Sequence, residues 1–137
     1  MPDARLPVID IHTHLAGLGH GGTGCFISPR KFHSPLFSLL RWKLGLRGAE
    51  RRGTLDQEYL ARLDRDLNAA VAHGALDALV IFAHDRVHDD TGAAPPAAQE
   101  IHVPNKYVFD VAMRPEARGR MLPAISVHPY RRDALDE

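Results

Sequence analysis

PVIDIHTHL, residues 7–15, is the stretch on which the reading of this chain turns. Val8-Ile9-Asp10-Ile11 is apolar and β-branched apart from one acid, the composition of a strand. Side chains alternate across a strand, so Val8, Asp10, His12 and His14 share one face and Ile9, Ile11 and Thr13 the other. The second face suits burial beneath helices. The first turns from apolar to ionisable toward its C-terminal end. Two imidazoles on one face stand about 6–7 Å apart along the strand and reach one ion if they lean together. Neutral imidazole is a good ligand for zinc and similar divalent metals. With nine histidines in the chain, two polar residues at a frayed strand end are the plain alternative. The acid two positions earlier and the glycine-rich loop directly after favour the metal reading.

That loop, AGLGHGGTGC over residues 16–25, lacks the Gly-Lys-Ser/Thr of a phosphate-binding loop. His20 within it reads as a solvated loop residue. Residues 54–73 form the clearest helix. Thr54 and Gln57 fit a capping box. Leu60, Leu63, Leu67 and Val71 make one apolar stripe. His73 sits at the negative pole, and Gly74 suits a left-handed C-cap. Residues 78–83, ALVIFA, are apolar without alternation, as in a parallel strand buried on both faces. His84-Asp85-Arg86 follows at the end of that strand, either directed into a site or as ordinary polar loop residues. Residues 87–103 read as a long flexible loop. A helix over 105–113 and a strand over 121–127 come next, then His128-Pro129-Tyr130. Residues 133–137 have the acidic start of a further helix. Alternating strands and helices imply an α/β fold with a parallel sheet and right-handed crossovers.

Residues 26–53 interrupt this order as an insertion or lid in the first βα loop. Ser34-Pro35 reads as an N-cap and first helical position, followed by a very apolar run from Leu36 to Leu46. Seven basic residues between Arg30 and Arg52 face one acid, Glu50. A lid whose arginines attract an anionic substrate, an amphipathic membrane-surface helix and an oligomer contact are the competing readings. The position in a βα loop favours the lid or the contact. A solvated basic face is the default.

Lysine plus arginine equals aspartate plus glutamate at 17 each, so bulk charge gives nucleic-acid binding no support. One cysteine, Cys25, excludes an intrachain disulfide and is compatible with a reducing cytosol. A nucleophilic role for it lacks any readable Cys-His-Asn arrangement. No signal peptide or membrane-spanning run is legible, and a cytoplasmic location is expected.

DIHTHL after an apolar run resembles the first strand of the amidohydrolase superfamily, and the closest likeness is to its amidohydrolase 2 (amidohydrolase-related) branch. LPAISVHPY, residues 122–130, is similar to the third strand and following loop of that branch, and to the corresponding segment of TatD-type nucleases. The resemblance implies a TIM-type (β/α)8 metal-dependent hydrolase barrel, of which residues 1–137 would supply about three N-terminal βα units. Such barrels usually take about 250 residues, so a single, incomplete barrel domain is expected. Its open sheet edges would favour a homo-oligomer or poor solubility. The resemblance further implies His12 and His14 as metal ligands. The metal would be zinc, with manganese or iron as alternatives, and would activate water against a C–N or C–O bond of a small-molecule substrate. The remaining ligands and the general base would lie on strands absent here, so no catalytic residue is assigned. His128, Asp85 and Asp10 are candidates for substrate contact or for support behind the ligands. Non-oxidative decarboxylation on the same fold, a TatD-like nuclease and a catalytically inactive barrel fragment are the alternatives.

Overall fold

Ten regular elements follow one another along the described residues, 5–136, of the computed structural model. They are β1 (Ile9–His14), β2 (Phe26–Ile27), α1 (Pro29–Phe32), α2 (Pro35–Lys43), α3 (Ala49–Arg52), α4 (Leu55–Ala72), β3 (Ala78–Phe82), β4 (Ile101–His102), α5 (Asn105–Ala112) and β5 (Met121–Ala124). Residues 1–4 lie outside the described residues, as does the last residue of the helix start expected over 133–137. Residues 132–136 form turns, not a helix.

β1, β3 and β5 make a three-stranded parallel sheet in that order, with β3 central. Parallel neighbours need a crossover, supplied by α4 between β1 and β3 and by α5 between β3 and β5. Crossovers of one hand moving in one direction put both helices on the same side of a sheet. The core agrees. Leu67 of α4 and Val108, Val111 and Ala112 of α5 pack in one cluster with Leu79 and Ile81 of β3 and Met121 of β5. The opposite sheet face carries Val80, Phe82 and Ala124, all half-buried.

The first strand departs from the expected pattern. Ile9 is 39% exposed and Ile11 71%, so the face expected under helices is not covered. β1 is an edge strand, and the core takes from it only the residue beyond its end, Leu15. The strand is also irregular. Asp10 stands opposite Leu79 and Thr13 opposite Ile81, so three steps of β1 span two of β3. A bulge of this kind resets the alternation of faces. Asp10 therefore leaves the row expected with His12 and His14. Its carboxylate accepts from the His12 backbone N–H at 2.9 Å and from the Thr13 hydroxyl at 3.3 Å.

Residues 26–53 build a second, smaller core. Ile27, Phe32, Leu46, Ala49 and Leu55 pack together, and Tyr59 touches both this cluster and the main one. Ser28-Pro29 opens α1 just as Ser34-Pro35 opens α2, each serine accepting from a backbone N–H three residues on. β2 pairs antiparallel with β4, and an isolated bridge joins His84 to Val103. The segment read as a flexible loop, 87–103, is thereby tied to the insertion. Asp89 closes its turn by accepting from the Thr91 and Ala93 backbone N–H groups.

The start of α4 corrects the expected capping box. Thr54 makes no side-chain cap; its hydroxyl donates to the Glu58 carboxylate at 2.6 Å. The Leu55 N–H is instead met by Nδ1 of His20 at 3.1 Å. His20 is thus a cap reaching across from the glycine loop, not a solvated residue. Beside it, the wholly buried Asp56 accepts from the N–H groups of Leu18 and Gly19 at 2.8 and 3.1 Å and from the Thr23 hydroxyl. The glycine-rich loop is wrapped around this carboxylate. A Cβ at Gly17 would stand 2.2 Å from Asp56 Oδ2. Gly17→Ala should therefore cost about 1–3 kcal/mol through overpacking. The check is urea unfolding, and an unchanged midpoint would contradict this packing.

Candidate functional site

β1 delivers both histidines to the C-terminal edge of the sheet, His12 within the bulged stretch and His14 beyond it, opposite Phe82. The two rings meet edge to face with centroids 4.8 Å apart, and Phe82 lies 5.7 and 5.8 Å from them. Nε2 of His12 and Nε2 of His14 are 3.0 Å apart. Two nitrogens bound at about 2.05 Å to one tetrahedral zinc are separated by about 3.3 Å. Neutral rings of complementary tautomer fill the same distance with an N–H···N hydrogen bond. Both arrangements need at least one unprotonated Nε2. Burial lowers the pKa of His14, with His12 and His84 acting in the same direction, and so favours its neutral form.

The donor set fits a metal in part. His12 and His14 supply two converging nitrogens. His84, at the end of β3, is close enough to act electrostatically on His14, and its Nδ1 engages the Asp85 carbonyl at 3.1 Å. Among the described residues no group of three His, Cys, Asp or Glu side chains is disposed to hold an ion. A catalytic zinc takes about three protein ligands and an open position, so this pair covers two of them.

Asp85 and His128 belong to a separate grouping along the same edge. The Asp85 carboxylate is 7% exposed. It accepts from the backbone N–H of His128 and of Arg86, each at 2.8 Å, and lies 3.6 Å from Arg131. The His128 ring is not directed at Asp85. It lies 5.5 Å from the His88 ring and 5.8 Å from Tyr130, and its Nδ1 accepts from the Tyr130 N–H at 3.3 Å. Asp85 thus ties the ends of β3 and β5 together. Ser126 adds to the tie, its Oγ accepting from Asp85 N–H and its backbone pairing with Asn105.

Burial raises the Asp85 pKa, but the two backbone N–H groups and Arg131 outweigh burial and hold it below the usual carboxylate value. A depressed folded-state pKa contributes stability above the unfolded value of about 3.9, and loses it as pH falls through the folded value. The stability gap between the wild type and Asp85→Asn should therefore be full at neutral pH and shrink below about pH 4. Urea midpoints across that range give the comparison, and a gap independent of pH would contradict the tie.

Beside His14 lies a cavity of about 440 Å³ under α2. Its walls are mostly apolar, from α1, α2, the turn after α2 and the start of α4. Its polar lining is His14, His84, Tyr59 and Arg41. Tyr59 donates its hydroxyl to the His14 carbonyl at 2.7 Å, which fixes the end of β1 against α4. Burial raises the pKa of Tyr59, so the phenol stays a donor. His84 is one of the strand-end residues that the sequence offers to a site and Arg41 one of the basic residues of the insertion, whereas Tyr59 carries no mark in the sequence that sets it apart. They come to His14 only through pairings distant along the chain. Cys25 is buried, and burial pushes its thiol up to about 11, which keeps it a poor nucleophile.

No protein-family model, curated protein or solved structure matches the chain. Among the described residues no helix is long and apolar enough to cross a membrane.

Proposed function

We propose that the chain carries part of the active site of a metal-dependent hydrolase of the amidohydrolase type, with His12 and His14 as two ligands of a divalent metal, zinc foremost. The observation that carries this reading is the 3.0 Å approach of their Nε2 atoms at the C-terminal edge of a parallel sheet. In barrels of alternating strands and helices that edge is where active sites are built. The three strands in sequential order, with both crossover helices on one face, are what the first βα units of a (β/α)8 barrel require. The likeness of DIHTHL to the first strand of the amidohydrolase 2 branch points the same way.

When bound, such a metal supplies a water acidified to a pKa of roughly 7 and polarises the bond under attack. The residues of this chain hold and orient. Phe82 backs both imidazoles. The Asp10 carboxylate, on the His12 N–H, fixes the backbone between the two ligands. The Tyr59 hydroxyl pins the carbonyl of His14. The cavity beside His14 excludes water from a substrate's apolar portion.

The reading is tested by incubating the zinc- and manganese-loaded protein with a panel of small amides, esters, lactones and aryl carboxylates. Weak metal uptake, lost in His12→Ala and in His14→Ala, is the result expected of residues 1–137 alone, and metal-dependent hydrolysis with the same dependence on both histidines is expected where the remaining ligands and the general base are also present. Release of CO2 in place of hydrolysis would favour the decarboxylase reading. Turnover unchanged in both variants would contradict both readings.

A further inference from the structure

α2 turns its apolar residues in two directions. Phe37 packs against the second core, and Leu40 lines the cavity beside His14. At about 100° of rotation per residue, Leu36, Leu39, Trp42 and Lys43 share one arc of about 120° on the other side. That arc lies in the open. Leu36, Leu39 and Trp42 are 63%, 47% and 59% exposed, and none of the nine residues of the helix is buried. Single exposed leucines are ordinary, but three large apolar side chains in one row mark a contact.

The charges around the row select its partner. Glu50, the insertion's one acid, is taken by Arg41 at 3.3 Å, while Lys31 pairs with Glu100 and Arg52 with Glu58. Among the described residues no carboxylate pairs with Lys43, Arg47 or Arg51, and all three are exposed. Lys43 stands within the apolar arc. Arg47 and Arg51, with Ser38, Arg41, Trp42 and Glu50, line a hollow of about 330 Å³. Trp42 borders both, so the apolar row runs into a hollow that holds two uncompensated guanidinium groups. Guanidinium matches phosphate well. Leucine and tryptophan beside lysine and arginine are the composition of a helix that lies in the headgroup layer of a bilayer. A second copy fits less well, because a twofold contact would set Lys43 against Lys43 and one Arg47–Arg51 pair against the other. A nucleic acid would leave Leu36 and Leu39 in water.

We propose that α2 docks the protein on an anionic phospholipid surface, with Leu36, Leu39 and Trp42 entering the headgroup layer and Lys43, Arg47 and Arg51 meeting the lipid phosphates. The attachment is peripheral and reversible, since a nine-residue helix lies along a bilayer and does not cross it. Its strength is the sum of the apolar area that enters and the attraction to anionic lipid. Removing either part should therefore weaken it. Docking through α2 is independent of metal at His12 and His14.

The test follows sedimentation with vesicles and the fluorescence of Trp42, the chain's one tryptophan. Vesicles of phosphatidylcholine with about 30% phosphatidylserine are compared with phosphatidylcholine alone. Binding to the anionic vesicles with a blue shift of Trp42 is expected, at least about tenfold weaker on the neutral ones and weakened by added salt. Leu36→Ser/Leu39→Ser and Arg47→Gln/Arg51→Gln should each weaken binding by about tenfold. All four positions are exposed, so these variants should fold, which circular dichroism checks. Lys106→Gln/Arg118→Gln removes as much charge from exposed positions outside the insertion and should leave binding unchanged. No vesicle binding, or binding that falls equally in all three variants, overturns the proposal. So does a Trp42 response to inorganic phosphate without vesicle binding, which would make the hollow a site for a free anion. A dimer that shields Trp42 in the absence of vesicles would assign the face to a second copy and overturn it as well.

Discussion

Replacing Asp56 by alanine should lower the unfolding free energy by about 3–4 kcal/mol, a large share of the roughly 5–15 kcal/mol that holds an ordinary domain. The carboxylate is wholly buried and is the shared acceptor for Leu18 N–H, Gly19 N–H and the Thr23 hydroxyl. Truncation removes all three bonds and leaves the donors facing a cavity. Asp56→Asn keeps the volume but presents an NH2 group to donors, and should fall between alanine and wild type. A second readout separates this from a generic core defect. Hydrogen exchange at the Leu18 and Gly19 amides should accelerate in Asp56→Ala more than at Val108 or Val111 in the main core. Uniform acceleration, or none, would contradict the role of Asp56 as the post around which the glycine loop is wound. The loop joins β1 to the insertion, so the same variant should loosen His14 and reduce metal uptake.

The second large effect is expected at the histidine pair. Loss of one ligand from a two-nitrogen site leaves a single imidazole, no better than any surface histidine. His12→Ala and His14→Ala should each weaken zinc binding by about 100-fold or more, and the double variant little further, because the two act as one site. Competition against a chromophoric chelator measures it. Equal losses in the two single variants, not additive in the double, are the signature of a shared ion. Small, additive losses would mean that each ring binds by itself. Asp10→Ala should cost less, since its carboxylate bonds the His12 backbone and the Thr13 hydroxyl and neither imidazole.

Much of this was legible from local pattern alone. The three parallel strands, α4 and α5 follow from apolar runs and periodicities that each segment carries within itself. His12 and His14 are two apart, which puts them on one face of a regular strand, and their rings do meet although the irregular stretch between Asp10 and Thr13 includes His12. Asp10 could not be placed, because the bulge between it and Thr13 is set by pairing with β3, about seventy residues away along the chain. The same limit hid the cap of α4. Thr54 and Gln57 have the right types at the right spacing, yet His20 arrives from a distant loop and takes the Leu55 N–H. Nothing in the sequence distinguishes Asp56 from any acid in the first turn of a helix, and only the glycine loop folding over it makes it a buried acceptor. Ser28-Pro29 is a different case. It repeats the start signal of Ser34-Pro35, so α1 is as legible in the sequence as α2.

The measurement that bears most directly on the histidine pair is X-ray absorption at the zinc edge of the loaded protein, wild type beside the His12→Ala/His14→Ala double variant. Two imidazole nitrogens per zinc at about 2.0–2.1 Å are expected in the wild type, lost in the double variant. An imidazole count that is the same in both would place the ion elsewhere, His88 and His128 being the other close pair of rings, and would contradict a metal site on β1.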